Sequence, residues 1–184
     1  MKKILVIGIM AVAGLMLCGC EEKIAPNAAP KEDVKGGFGY LIGAQIDSTN
    51  EVTTNAIGMM CSTIDLDESE RPLRWVYLDL TTNRVIYCIR ASTGKAEWSD
   101  VQDLRRAMVA RLADKYGLCG PGSVADAASG DGSVMFGHGR RNVLLSSWTN
   151  GLDVAYTDGL VASGIENRIK ARENKRLRSI TDGL

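Results

Sequence analysis

A single histidine, His138, is the only imidazole in this chain, so the sequence excludes a zinc site built from several histidines. No His-Glu-x-x-His or Cys-x-x-Cys pattern is present, and these are the usual spacings of zinc and redox sites. Asp126 and Asp131 lie in a glycine-rich segment but lack the acidic spacing and terminal glutamate of an EF-hand. The sequence therefore predicts a protein without a metal ion or another cofactor.

An excess of charge of either sign is also missing. The chain has 22 basic and 22 acidic side chains, whereas nucleic-acid-binding proteins carry a clear basic excess. Hydrophobic residues make up 45 % of the chain, which is too many for a disordered protein and typical of a globular one. We expect one globular domain and no nucleic-acid partner.

No hydrophobic run is long enough to span a membrane. The longest, Ile4 to Leu17, has 14 residues and follows Lys2 and Lys3, whereas a spanning helix needs about 20 residues. A positive start followed by a short apolar run is typical of a secretory signal peptide. The chain is therefore expected to be exported.

The residues after this run, Leu17-Cys18-Gly19-Cys20, resemble the lipobox of bacterial lipoproteins. The resemblance implies cleavage between Gly19 and Cys20 and acylation of Cys20, with palmitate among the acyl groups. An ordinary cleaved signal and an uncleaved anchor are the alternatives, and cleavage before Cys18 would put Met16 at the small-residue position. Such a lipoprotein lies in the cell envelope, at the periplasmic face of the outer membrane if the host is Gram-negative, as Glu21 favours.

Three regions follow from composition. Residues 1–19 form the cleaved signal peptide. Residues 20–37 form a lipidated N-terminus and a flexible tether, since they combine prolines, alanines and charges without apolar periodicity. Residues 38–184 form a single α+β domain.

Within this domain, two β-prone segments, "RWVYLDL" and "RVIYCIRA", are joined by Thr81-Thr82-Asn83 as a hairpin. A helix begins at Ser99, with Gln102 completing a capping box, and ends before Gly117. Its apolar face carries Val101, Leu104, Met108, Leu112 and Tyr116, and its polar face includes Gln102, Arg105, Arg106 and Lys115.

Residues 117–133 are interpreted as a loop, a second hairpin turns at Asn150-Gly151, and a final helix runs from Gly159 to about Arg178. The order is strands, helix, strands, helix. We expect an antiparallel sheet of about 4–6 strands with two helices packed on one face.

The domain also resembles a group of small secreted bacterial proteins and lipoproteins of uncharacterised function. The resemblance is carried by Phe38, Gly39 and Gly43 (Phe-Gly-x-x-x-Gly), Lys115-Tyr116-Gly117, and Leu152, Tyr156 and Asp158. It implies a fold and an exported location, and it implies no activity.

Cysteine is scarce in the mature chain. With Cys20 acylated, three thiols are left, Cys61, Cys88 and Cys119. An odd number allows at most one disulfide among them, and the sequence does not identify the pair.

Catalytic residues are not predicted, because no Gly-x-Ser-x-Gly nucleophile motif accompanies His138. The sequence predicts a membrane-anchored, non-enzymatic binding or accessory protein of the cell envelope, with an envelope protein or cell-wall component as its partner. The alternatives are an envelope hydrolase that uses His138 and the 117–141 loop, and an inhibitor-type binder. Basic residues of the last helix are interpreted as a solvated face or as a contact for anionic lipid or cell-wall polymer (Arg168, Lys170, Arg172, Lys175, Arg176 and Arg178).

Overall fold

The computed structural model describes residues 31–47, 50–54, 60–65 and 72–181, without the side chains of 62–65 and 179–181. The predicted signal peptide, the acylation site Cys20 and most of the predicted tether lie outside the described residues.

Ten strands are described. Two of them form a small antiparallel ribbon, β1 (Gly36–Gly37) and β2 (Tyr40–Leu41). The other eight are β3 (Thr53–Thr54), β4 (Met60–Asp65), β5 (Trp75–Leu80), β6 (Ile86–Ser92), β7 (Leu118–Cys119), β8 (Gly132–Phe136), β9 (Arg141–Trp148) and β10 (Gly151–Asp158). They form one antiparallel sheet in the order β3-β4-β5-β6-β10-β9-β8-β7.

Three helices accompany the sheet: α1 (Trp98–Tyr116), α2 (Val124–Ser129) and α3 (Gly159–Thr181). No helix among the described residues combines the length and the apolar character needed to cross a bilayer. The α+β class and the antiparallel sheet are confirmed.

The predicted strand count and element order need correction. The sheet has eight strands instead of 4–6, because β3 and β7 add short edge strands of two residues each. The segment expected to be a loop, 117–133, contains β7 and α2. Ser123 caps α2 in a capping box with Asp126, so the sequence signal for this helix was present but brief.

One face of the sheet carries the hydrophobic core. Alternating residues of β5 and β10, such as Val76, Leu78 and Val154, are almost fully buried on it. Helix α1 covers this face with Val101, Val109 and other buried residues (Leu112, Ala113 and Tyr116).

Helix α3 does not pack on the core face beside α1, so the prediction of two helices on one face is wrong for the final helix. Val161, Ile165 and Ile169, the predicted apolar face of α3, are only half-buried. No α3 side chain in the described range 159–178 belongs to the core or packs against it. The helix begins beside β6, β9 and β10, and residues 170–178 are all exposed.

The N-terminal segment of the described residues also covers the core. Val34 is 3 % exposed, and the backbone N–H of Glu32 donates to the carbonyl of Lys115 over 2.9 Å. The rings of Phe38 and Tyr156 pack edge to face, with 5.8 Å between their centroids. The packed domain therefore begins by residue 32, within the stretch that composition alone assigns to the tether.

Helix α1 differs from its prediction at two points. It begins at Trp98 after Glu97, and no side chain caps it, so the expected capping box of Ser99 and Gln102 does not form. Arg105, expected on the polar face, is 1 % exposed. The end of the helix at Gly117 is confirmed, with φ of 81° at that glycine.

Arg105 joins α1 to three other elements. Its Nε donates to the carbonyl of Ala127 over 3.0 Å, and its Nη1 donates to the carbonyl of Gly132 over 2.8 Å and to Ser147 Oγ. Burial lowers the pKa of this guanidinium, and the nearby charge of Asp131 opposes that effect. A buried arginine is stable here because its donors have acceptors at the ends of α2, β8 and β9.

Replacement of this arginine tests its role. Arg105→Met keeps the length of the side chain but leaves two carbonyls and one hydroxyl without their donor. We expect a loss of about 2–4 kcal/mol in the free energy of unfolding, measured by urea denaturation. Arg106→Met is the matched control, because Arg106 is exposed and bridges Asp103 on the surface, and we expect a change within about 0.5 kcal/mol. Equal midpoints for the two variants would contradict this role.

Candidate functional site: a cationic cleft at the β8–β9 turn

A cleft of about 290 Å³ lies where the turn between β8 and β9 meets the N-terminal segment. Its lining residues are Asp33, Val34, His138, Arg140 and Arg141. Three of the five carry basic side chains, so the cleft gathers nitrogen donors in one place. His138, the only histidine, is exposed within it.

The acidic partner of the two arginines is Asp158, which is 2 % exposed. Arg140 Nε donates to Asp158 Oδ1 over 2.9 Å, and Arg140 Nη2 lies 2.8 Å from Asp158 Oδ2. Arg141 Nε lies 3.8 Å from Asp158 Oδ2. The backbone N–H of Val161 also donates to Asp158 Oδ1 over 3.2 Å, so this carboxylate caps the first turn of α3.

Strand register brings these charges together. Residues 149 and 150 form the turn between β9 and β10, which pairs Asp158 with Arg141 at the far end of the hairpin. The backbone N–H of Gly159 then donates to the carbonyl of Arg140 over 2.9 Å. The start of α3 is therefore joined directly to the β8–β9 turn.

Helix α1 supports the same turn from the other side. The N–H of Gly137 donates to the carbonyl of Gly117, the residue that ends α1, over 3.0 Å. A Cβ on Gly117 would stand 2.9 Å from His138 Nε2, so a side chain at this position would displace the imidazole. Gly137 and Gly139 both have positive φ, 89° and 96°, which the turn around His138 requires.

Charge pairing lowers the pKa of Asp158. Burial alone would raise it, but the hydrogen bond from Arg140, the N–H of Val161 and the charges of Arg140 and Arg141 together hold the pKa below its usual value. The carboxylate therefore stays ionised and binds the two guanidinium groups.

No hydroxyl or thiol side chain is among the residues that line the cleft. Ser133 on β8 and Ser146 on β9 are outside the cleft lining and bond each other, with 2.8 Å between their hydroxyl oxygens. The arrangement offers several donors and one exposed carboxylate, Asp33, and this chemistry suits the binding of a small anion better than covalent catalysis.

The cysteines are not among the residues that line the cleft, and they stand on three different strands. Cys61 and Cys88 stand on β4 and β6, each opposite Asp79 of the intervening strand β5. Their Cα atoms are therefore two strand spacings apart, each of about 4.8 Å. This separation exceeds the Cα distance of about 7 Å that a disulfide tolerates. Cys119 is on β7 at the opposite edge of the sheet. Among the described residues, all three are outside disulfides.

Cys88 belongs to a buried polar cluster on the sheet face opposite the core. Its Sγ lies 3.3 Å from Thr157 Oγ1, and burial, with the charge of Asp79, raises the pKa of its thiol to about 12. Arg90 pairs with Asp79 at 2.7 Å. The protonated thiol is unreactive, and the cluster is interpreted as structural.

Other predicted features have structural explanations. Asp126, considered for calcium, accepts hydrogen bonds from Ser123, which lower its pKa, and caps α2. Across the part of the chain that the structure describes, no group of three or more His, Cys, Asp or Glu side chains is arranged to bind a metal ion.

Comparison with family models, with curated protein sequences and with solved structures finds nothing that matches this chain. The residues of the cleft are therefore interpreted from their own geometry.

The sequence contained a signal for this cleft that its reading missed. The segment "GHGRR" places two arginines directly after His138, and Asp158 directly precedes the last helix. A hairpin turn at 150–151, as predicted, would pair Asp158 with Val143, whereas the turn at 149–150 pairs it with Arg141. A shift of one residue in the turn therefore hid the ion pair.

Removal of the buried charge tests the site electrostatically. Asp158→Asn keeps an oxygen for the Val161 N–H but loses the attraction to both arginines. We expect a loss of about 1–2 kcal/mol in the free energy of unfolding at pH 7. Asp103→Asn, which changes an exposed carboxylate on α1, should stay within about 0.5 kcal/mol.

The pH dependence of that difference has a defined sign. Because folding lowers the pKa of Asp158, its stabilisation is fully present above the unfolded value of about 3.9 and is lost as the pH falls through the lower folded value. The free energies of unfolding of the wild type and of Asp158→Asn, followed by circular dichroism, should therefore converge as the pH falls below about 4. A difference that stays constant down to pH 2 would contradict the assignment.

Proposed function

We propose that this protein is a lipid-anchored, non-enzymatic binding or accessory protein of the bacterial cell envelope. The observation that carries the anchor is the segment Leu17-Cys18-Gly19-Cys20 after an apolar run too short to span a membrane. Acyl chains on Cys20 would hold the mature chain at the membrane, since two or more chains give stable attachment where one does not.

The entry of the chain into the domain supports this proposal. Asp33 and Val34 line the cleft, and Lys31 stands 11 positions after Cys20. Even fully extended, that segment reaches at most about 40 Å. The end of the domain that carries His138, Arg140 and Arg141 would therefore stay within about 40 Å of the acylated residue.

The cleft supports a binding role. It presents Arg140, Arg141 and His138 beside Asp33, and the residues that line it include no hydroxyl or thiol. Its size suits a small chemical group and is at the lower limit of the usual range for small-molecule pockets. Recognition of an envelope component by one of its charged groups is the function that this geometry supports best.

A pair of cysteine variants tests the anchor. In Cys20→Ala the acyl acceptor is lost, so we expect the protein to leave the membrane fraction and to lack N-terminal acyl groups by mass spectrometry. Cys18→Ala changes a residue that cleavage would discard, and we expect full acylation and membrane retention. Release of both variants, or an unmodified N-terminus in the wild type, would overturn the anchor.

An envelope hydrolase is the second candidate, and the position of His138 inside a cleft is the observation that favours it. Turnover of ester, peptide or glycan substrates by the wild type, lost in His138→Ala and kept in Arg106→Ala, would establish it. Because no hydroxyl or thiol lines the cleft and Asp33 is its only carboxylate, we expect no turnover by either variant or by the wild type. Inhibition of an envelope enzyme is a form of the binding role, and the same assays with that enzyme present would detect it.

A further inference from the structure

We propose that the cleft binds a phosphate group, with Arg140, Arg141 and His138 as its donors. This inference names a ligand class for the proposed binding role and rests on that role, but it does not depend on the lipid anchor. Asp33 also lines the cleft. Its carboxylate would accept a hydrogen bond from the organic group to which the phosphate is esterified.

Arg140 is oriented before any ligand arrives. A guanidinium has five N–H donors in a fixed plane, and the two contacts with Asp158 use the Nε and Nη2 side of Arg140. Its side chain is nevertheless 56 % exposed, whereas the partner carboxylate is buried. The donors that do not face Asp158 are therefore held near the solvent side in one orientation, as bidentate recognition of phosphate requires.

Arg141 supplies the second positive charge. Its Nε stands 3.8 Å from Asp158 Oδ2, beyond hydrogen-bond distance, and its side chain is 36 % exposed. Its Nη2 lies next to Gly43, where a Cβ would approach it to 3.6 Å. Two guanidinium groups therefore share one buried carboxylate, and the excess positive charge is available to a bound anion.

The backbone holds these donors in place. The N–H of Gly137 is bonded to the end of α1, and the carbonyl of Arg140 is bonded to the start of α3 through Gly159. His138 lies between these two connections and against Gly117. Because the turn is held from both sides, little conformational entropy is lost when a ligand binds, which favours affinity.

The charge of the cleft sets the size of the anion. Arg140 and Arg141 lie near two carboxylates, the buried Asp158 that pairs with them and the exposed Asp33 in the cleft lining. A compact anion that contacts both guanidinium groups gains from this arrangement, whereas the second carboxylate disfavours an extended polyanion such as a nucleic acid. A phosphate ester meets the requirement with three or four acceptor oxygens.

Titration with inorganic phosphate tests the site. The full mature chain carrying Cys20→Ala is labelled with ¹⁵N, and its amide shifts are followed by NMR at constant ionic strength. We expect saturable shifts centred on the amides of Gly137, Gly139 and Gly159, with millimolar affinity. Arg141→Gln should weaken binding about tenfold, because it removes one charged donor and leaves the Arg140–Asp158 pair intact.

The matched control is Arg106→Gln, which removes an exposed arginine on α1 that lies outside the cleft lining. We expect unchanged affinity. Shifts that do not saturate, that spread over the whole surface, or that weaken equally in both variants would overturn the proposal. His138→Gln, at an exposed side chain, is a second variant if Arg141→Gln lowers the thermal midpoint, and it should also weaken binding.

Two further arms distinguish the source of the phosphate. Sedimentation with phosphatidylcholine vesicles, with and without phosphatidylglycerol, reports on a lipid headgroup. If the protein sediments with the vesicles only when phosphatidylglycerol and Arg141 are both present, the site binds a lipid headgroup. Phosphate binding without retention assigns it to a soluble phosphate ester. An unmodified Cys20 in the native protein would overturn the anchor alone, so the two proposals fail separately.

Discussion

The buried carboxylate of Asp158 is the interaction on which this end of the molecule depends. It receives Arg140 through two contacts and the N–H of Val161 through a third, so a β-turn, a strand end and a helix start meet at one side chain. A negative charge at a helix N-terminus is favourable, and burial strengthens its attraction to nearby guanidinium groups. Arg140 also lines the cleft, so the residue that stabilises the turn also shapes the surface beside it.

A second buried charge has the corresponding role on the core side. Arg105 reaches from α1 to Ala127, Gly132 and Ser147, where it donates to two carbonyls and one hydroxyl. Asp158 is the opposite case, a buried anion that accepts from cationic side chains. In both cases a desolvated charge is stable only because its partners come from elements distant in sequence. Such groups make the arrangement specific, since any alternative packing would leave them buried without a partner.

Much of the fold was predictable from local patterns. The alternation that buries Val76 and Leu78, the helix that ends at Gly117 and the hairpin that leads to Asp158 all follow from residue periodicity and turn chemistry. The burial of Arg105 was not predictable this way, because hydropathy assigns any arginine to the solvent side. The candidate cleft was hidden for a different reason: Gly151 resembles a turn residue, yet it is the first residue of β10, and the ring of Trp148 stands where its Cβ would be.

The sequence by itself determined the α+β class, the antiparallel hairpins and the apolar faces, because these depend on the spacing of side chains along short segments. Its N-terminal residues also carry the expectation of export and of acylation at Cys20. Only the tertiary structure decided which charges meet. His138, Arg140 and Asp33 come from the β8–β9 turn and the N-terminal segment, and they share a cleft because strand register and the packing of residues 31–47 bring them together. Pairing across distant elements is a property of the folded chain, and no local pattern records it.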